Sequence, residues 1–387
     1  VTPVELSRTV LHAVRRAVDA GELSVAVPTR AVVAPPGPGG CGDYASSIAL
    51  QLARPAGQTP FQVAEVLRPY LVGTDGITDV VLTGPGFLNI SLDRDASDAG
   101  LVREILRRGD RYGYAEQPDG RVVQLHCPHD LRAVVVAEAS ARLLRSQGAL
   151  VCVTAEGFED VWTSVLGVRV DAVGHAPAEL PVNVRPVPVP AHGAADPLSL
   201  GRDAGRWALL HPAAHDRPRT GDEHLAQRES NPLFRVRYAH ARARAATRNA
   251  ADLGFTAAPG PVAITGSDTG TPTGSGIPTG TGTPTGSGIP TGTGTPTGSG
   301  TEQPLLAALA DHPRVLAAAA DHRAPDRLAR HLVAVADAAL PFLLTVLPRG
   351  GEKPSAAHRA RLAVAEAVGA VLAGGLDLLG IDAPDHL

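Results

Sequence analysis

Methionine is absent from this chain of 387 residues, and lysine occurs once, at Lys353. Arginine carries nearly all the positive charge, a skew of the kind that codon usage in a GC-rich genome produces. Aromatic residues make up 3% of the chain, so apolar cores have to be assembled from leucine, valine and alanine. Cys41, Cys127 and Cys152 are scattered, which argues against a disulfide framework and fits a reducing compartment. A formal net charge of −4 excludes a generally basic, non-specific nucleic-acid binder, so any such surface has to be a local patch. No run of about 18 apolar residues offers a membrane span. The opening stretch Val1-Thr2-Pro3-Val4-Glu5-Leu6 lacks the basic start and apolar core of a secretion signal. The expectation is a cytoplasmic, soluble protein long enough for two or three domains.

What is present falls into three stretches. In the first, Leu6, Val10, Leu11, Val14 and Val18 recur at helical spacing between Glu5 and Asp19. After a Pro/Gly-rich break at 34–40, Gly42-Asp43-Tyr44 precedes an Ala-rich apolar run that reads as a helix start, and Thr59-Pro60 opens another. Ile77 to Leu82 and Phe87 to Leu92 read as strands joined by the turn Thr83-Gly84-Pro85-Gly86. In the second stretch, Val122 to Leu125, Leu131 to Gln147 and Ala149 to Thr154 have the lengths of one strand–helix–strand crossover. Val182 to Val189 alternates with prolines, which predicts an edge strand or extended segment. In the third, 231–249 is helical and dense in alanine and arginine. Residues 259–301 repeat Thr, Gly and Pro with almost nothing apolar to bury, so they are expected to be a disordered insertion. Helices are predicted over 305–310, 313–320, 326–346 and 356–379.

Four segments resemble arginyl-tRNA synthetase, in that family's order. Gly42-Asp43-Tyr44-Ala45 with Ile48-Ala49-Leu50-Gln51-Leu52-Ala53 is similar to the start of its N-terminal additional domain. Gly84-Pro85-Gly86-Phe87-Leu88-Asn89-Ile90 resembles the strand-turn motif closing that domain. Asn231-Pro232-Leu233-Phe234-Arg235-Val236-Arg237-Tyr238-Ala239-His240-Ala241-Arg242 resembles the entry into its helical, DALR-type anticodon-binding domain. Arg361 to Ala367 and Gly375 to Ile381 are similar to that domain's last helix. The resemblance implies an α/β plus all-α chain: an N-terminal α+β domain over 1–115, a truncated Rossmann-like βαβ remnant over 120–210, and a helical bundle over 225–387 carrying the 259–301 insertion. It implies tRNA as partner, arginine tRNA first, with no membrane partner and no protein partner assigned.

Chemistry and resemblance point to the same residues. Arg235, Arg237, Arg242, Arg244 and Arg248 share 231–249 with no carboxylate. At about 100° per residue, Arg237, Arg244 and Arg248 fall on one face. Tyr238 offers a ring on which a base could stack, and arginine beside an aromatic suits a single-stranded loop. The bland alternative is a solvated basic helix with Tyr238 and Leu233 packed inward. In the family, the turn corresponding to Phe87 and Asn89 touches the outer corner of the tRNA. Two residues apart on a strand, these side chains are expected on one face, and the alternative is an ordinary strand with Phe87 in the core.

The family's catalytic motifs do not follow the resemblance. Class I synthetases use H-I-G-H and K-M-S-K-S to stabilise charge on the transferring phosphates. Val122 to His129 is similar to the strand leading to the first, but Asp130 passes straight to Leu131-Arg132 and no His-x-Gly-His occurs. Val182 to Val189 and Gly193 resemble the approach to the second, and 201–210 the helix after it. With no lysine before Lys353 and no methionine, that motif has no usual form here. His126, Cys127, His129 and Cys152 match no standard zinc spacing, and no phosphate loop or nucleophile elbow appears. Phe342-Leu343 stands where the family often has Phe-Tyr at the anticodon surface, and Leu387 where it has a terminal methionine. The expectation is a tRNA-binding protein without catalytic residues, metal or cofactor. The alternatives are a residual ligase-type enzyme and a protein-interaction scaffold.

Overall fold

A computed structural model describes residues 3–37, 40–72, 74, 76–92, 94–175, 181–190, 195–261 and 302–387. Most of the repetitive insertion expected over 259–301 lies outside the described residues, as does Gly193.

The first layer pairs helices with an antiparallel sheet. α1 (Pro3–Asp19) buries Leu6, Val10, Ala13, Val14 and Ala17 at the spacing of one helical stripe. β1 (Val33–Ala34), β2 (Tyr44–Ser46), α2 (Ile48–Ala56), α3 (Pro60–Val72), β3 (Ile77–Thr83) and β4 (Phe87–Leu92) complete it. The sheet order is β1-β2-β4-β3 and every pairing is antiparallel. The Gly42-Asp43 segment stitches it together. Gly42 has φ +78°, and a Cβ there would stand 2.8 Å from the Ile90 carbonyl oxygen. Asp43 then accepts from the Leu92 N–H at 2.9 Å. These elements share one apolar core running from Leu6 to Leu92.

α4 (Arg94–Arg108), which carries too few apolar residues to be predicted, leaves that layer and packs on the last helix of the chain. A parallel sheet follows: β5 (Val122–Cys127), α5 (Leu131–Ser146), β6 (Leu150–Ala155), α6 (Asp160–Leu166), β7 (Ala172–Val173), β8 (Val182–Asn183) and α7 (Gly201–Leu210). The predicted crossover is present and the sheet is wider than one βαβ unit. Its order is β7-β6-β5-β8, all parallel. The chain therefore builds outward from β5 and then crosses back to its other side, the strand order of a Rossmann half. The switch point lies between the carboxyl ends of β5 and β8.

α8 (Pro232–Asp252), α9 (Glu302–His322), α10 (Pro325–Phe342) and α11 (Ala356–Leu378) form the helical bundle. α9 is one helix, whereas the sequence predicts a break at Pro313. Packing against α5 and α10 holds the helix through the lost N–H. Among the described residues, Pro325–Thr345 is the one segment long and apolar enough to cross a membrane. Its apolar stripe, Leu328, Leu332, Val335, Ala336 and Ala339, is fully covered within the bundle.

A single apolar core runs from Leu101 through the parallel sheet to Ile381. A buried ion pair crosses it. Arg206 on α7, with no exposed surface, donates to Glu138 on α5, to the Leu166 carbonyl at 3.2 Å and to the Leu379 carbonyl at 2.7 Å. Arg142 holds the other oxygen of Glu138 and donates to the Asp377 carbonyl at 3.0 Å. Buried charges persist when their remaining hydrogen-bonding capacity is met, and this network ties α5, α6 and α7 to the end of α11.

Candidate nucleic-acid interface

The turn between β3 and β4 is built by Gly86. Its φ is +136°, and a Cβ would lie 2.7 Å from the Pro60 backbone at the start of α3. Phe87, which follows this turn, is 38% exposed, and Phe61, which follows Pro60, is 45% exposed. Asn89 is a correction: it does not share this surface. It is 1% exposed, and its amide donates to Thr83 Oγ1 at 2.6 Å and to the Val81 carbonyl at 3.3 Å. A loop at Gly40 approaches its amide oxygen from the other side. Asn89 thus holds the turn from within the layer.

On α8, Asn231 caps the helix by accepting from the Leu233 N–H at 3.1 Å, and its amide donates to the His224 and Ala226 carbonyls. Three residues one turn apart then form an outward stripe. The rings of Phe234 and Tyr238 are stacked, 5.5 Å apart and 12° from parallel. The Arg242 guanidinium lies 5.9 Å from the Tyr238 centroid. Tyr238 and Arg242 are exposed, and among the described residues Arg242 pairs with no carboxylate. Phe234 was not singled out from the sequence, although its i, i+4 spacing to Tyr238 is the available signal.

The remaining arginines are placed differently from expectation. Arg237, Arg244 and Arg248 do share a face, but it is not an open cationic row. Arg237 lies 3.4 Å from Asp203 of α7. Arg244 is 2.9 Å from Asp385, and Arg248 donates to the Asp385 carbonyl at 3.2 Å. Arg235 lies 3.3 Å from Asp337 of α10. The partners come from three distant parts of the chain, so a count of charges within 231–249 could not show them. Arg244 holds the Asp385 carboxyl below its usual range. Burial pushes His240 down, against a hydrogen bond from its Nδ1 to the Pro384 carbonyl at 3.0 Å.

Beside the stripe, between α7 and α8, lies an open cavity of about 320 Å³ lined by Asp203, His224, Asn231, Phe234, Arg237 and Leu387, among others. Its lining mixes two rings, those of Phe234 and His224, with amide groups and charges of both signs. Phe342 and Leu343 are buried in the bundle, and Leu344 is the exposed residue of that turn.

The switch point of the parallel sheet is filled by its own residues. His126 is buried with Nδ1 2.8 Å from Thr154 Oγ1. Cys127 is fully buried, and burial pushes its thiol up to about 12, which keeps it protonated. His129 turns to Glu159, at 3.3 Å, and to the Trp162 ring. Asp130 caps α5 by accepting from the Ala133 N–H at 2.8 Å. Behind it, fully buried Arg132 donates to five backbone carbonyls, those of Val187, Leu209, Pro212, Ala213 and Asp216. This clamp draws the 209–216 turn onto the start of α5. Among the described residues no three His, Cys, Asp or Glu groups converge as metal ligands would.

Residues 5–92 match the family model for the arginyl tRNA synthetase N terminal domain, and 289–387 that for the DALR anticodon binding domain. The arginine–tRNA ligase of Frankia alni is 39% identical over 178 residues, covering 45% of this chain and 32% of that protein. That of Renibacterium salmoninarum is 41% identical over 165 residues, covering 39% and 30%. The matched stretches thus span about a third of the length of these curated relatives. The ligase of Pseudarthrobacter chlorophenolicus aligns with this chain from end to end at 25% identity, over 586 positions against 387 residues here. The arginyl-tRNA synthetase structure from Thermus thermophilus shares the fold with a TM-score of 0.60 at 15% identity, each chain covered completely. That from Plasmodium falciparum does so with 0.57 at 9% identity, covering 100% of this chain and 99% of that one.

Proposed function

We propose that this chain, an arginyl-tRNA synthetase-related protein, binds tRNA, arginine tRNA in the first place, without charging it. The observation that carries the reading is the outward stripe Phe234–Tyr238–Arg242 at the entry to the helical bundle. Two stacked rings with a guanidinium over the outer one form a platform for an unpaired base, with a cation placed for its phosphate. Exposed Phe87 supplies a second aromatic contact on the N-terminal layer. Three unpaired cysteines suit a reducing, cytoplasmic setting. The absence of His-x-Gly-His and of a lysine before Lys353 supports the non-catalytic half of the reading.

The test is anisotropy of a labelled arginine tRNA against another tRNA of similar length at two salt concentrations. Salt-sensitive binding that prefers arginine tRNA is expected. Tyr238→Ala is expected to weaken it about tenfold, since stacking on a ring is worth about 1–3 kcal/mol per base. Equal affinity of Tyr238→Ala and the unaltered chain would refute the assignment of the platform.

A second reading, a residual ligase, is favoured by one observation: the parallel sheet keeps the strand order whose switch point binds nucleotides in open α/β folds. Arginine-dependent ATP–pyrophosphate exchange separates the two. The expected result is no exchange above background.

A further inference from the structure

Residues 382–387 leave α11 and turn back across α8. The Asp382 N–H donates to Asp203 at 3.1 Å, and its carboxylate lies 3.6 Å from Arg202. The Pro384 carbonyl faces His240 at 3.0 Å. Asp385 then engages two arginines at once, Arg244 through its carboxylate at 2.9 Å and Arg248 through its carbonyl at 3.2 Å. His386 Nδ1 is 3.4 Å from the same Arg248 nitrogen. Leu387, 52% exposed, ends at the lip of the cavity beside Phe234 and Arg237. No helix or strand covers 382–387; these contacts and the packing of Ala383 on the larger core hold the segment.

We propose that residues 382–387 form an acidic strap that occupies the RNA-phosphate sites at Arg244 and Arg248 and is displaced when RNA binds α8. The inference rests on the tRNA-binding reading above and adds a regulation of the same site. Arg237, Arg244 and Arg248 lie roughly 100° around α8 from Tyr238, by the helical spacing. A nucleotide stacked on Tyr238 therefore has its flanking phosphates beside the strap. A carboxylate and a phosphodiester are both singly charged oxygen acceptors, and a guanidinium serves either. The competition is close to balanced, because the pair is half exposed on both sides, 49% at Arg244 and 51% at Asp385. Exposed pairs hold weakly, so a strap of this kind attenuates affinity without abolishing it. It also favours ligands that bring several phosphates at once, since a single anion gains little by replacing Asp385.

Two measurements on the full chain test this with fluorescein-labelled arginine tRNA. Asp385→Asn keeps the shape of the strap and removes its charge. It is expected to tighten binding about two- to fivefold at low salt, the scale of one exposed ion pair. The gain is expected to shrink as salt is raised, because the Arg244–Asp385 pair that the unaltered chain has to break is itself screened. A nitroxide label at His386→Cys, in a Cys41→Ser, Cys152→Ser background that leaves only buried Cys127, is expected to gain mobility when tRNA saturates the protein. Unchanged or weaker affinity of Asp385→Asn, or a label that stays immobile on bound protein, would overturn the strap while the binding reading stands. Failure of the unaltered chain and of Asp385→Asn alike to bind tRNA would overturn both.

Discussion

Acidification should destabilise the larger core, because two histidines are sealed into it uncharged. His312 on α9 is 2% exposed and stacks on Tyr112 at 5.9 Å between ring centroids. His331 on α10 lies 5.2 Å from His312. Tyr112 Oη, His312 Nδ1 and His331 Nε2 are all buried without a hydrogen-bond partner, so no hydrogen bond at these atoms offsets the cost of burying a charge. Burial pushes His312 down to about 3, with His331 adding to the effect. Burial likewise pushes His331 down to about 4, with Asp311 opposing and Arg314 assisting. Both folded values lie below the unfolded value near 6.5, so the unfolded chain binds more protons and stability rises with pH. The stabilisation is complete above about pH 6.5 and drains as the pH falls towards the folded values. At pH 5 the deficit is about 2 kcal/mol for each histidine, or roughly 3–4 kcal/mol together when the partial exposure of His331 is allowed for. Glu302 and Glu366, raised by burial, oppose part of this loss. The comparison therefore has to be made against a variant. Urea unfolding at pH 7.5 and pH 5, followed by fluorescence of the buried Trp162 and Trp207, measures it. His312→Leu should lose about 2 kcal/mol less than the unaltered chain over that interval. Parallel pH profiles for the two proteins would refute the reasoning.

Two further outcomes concern the fold. Arg206→Met should destabilise the larger core by about 3–5 kcal/mol, because it leaves Glu138 buried with only Arg142; a thermal midpoint within about 2 °C of the unaltered chain would count against it. Gly86→Ala should destabilise the N-terminal layer by about 2 kcal/mol or more, since a Cβ meets the Pro60 backbone at a positive φ. The control is Gly21→Ala, which has φ +76° and nothing within 4 Å of the new methyl, and which should cost about 1 kcal/mol. Hydrogen exchange of β3 and β4 reads the difference directly.

Much of the architecture is legible in local chemistry. The stripe of Leu6, Val10 and Val14 announces α1, Thr83-Gly84-Pro85-Gly86 announces the β3–β4 hairpin, and Asn231-Pro232 announces α8, because each is settled by neighbours within a few residues. The platform is legible to the same extent: Tyr238 and Arg242 stand one turn apart in the sequence, and Phe234 one turn before. The two-residue strands β7 and β8 have no periodicity to detect, and pairing with β6 and β5 alone defines them. For that reason the Rossmann-type strand order is invisible until the sheet is assembled.

The sequence by itself determined the longer amphipathic helices, the β3–β4 hairpin, and where arginine and aromatic residues gather. Those properties depend on residue type and short spacing. Only the tertiary structure decided which of those arginines are spoken for. Asp203, Asp337 and Asp385 are far from 235–248 in the chain, and an ion pair depends on distance in space. The same holds for Asn89, whose amide serves Thr83 and Val81 because strand pairing and the Gly40 loop enclose it. It holds as well for the strap over Arg244 and Arg248, which exists only because α11 ends beside α8.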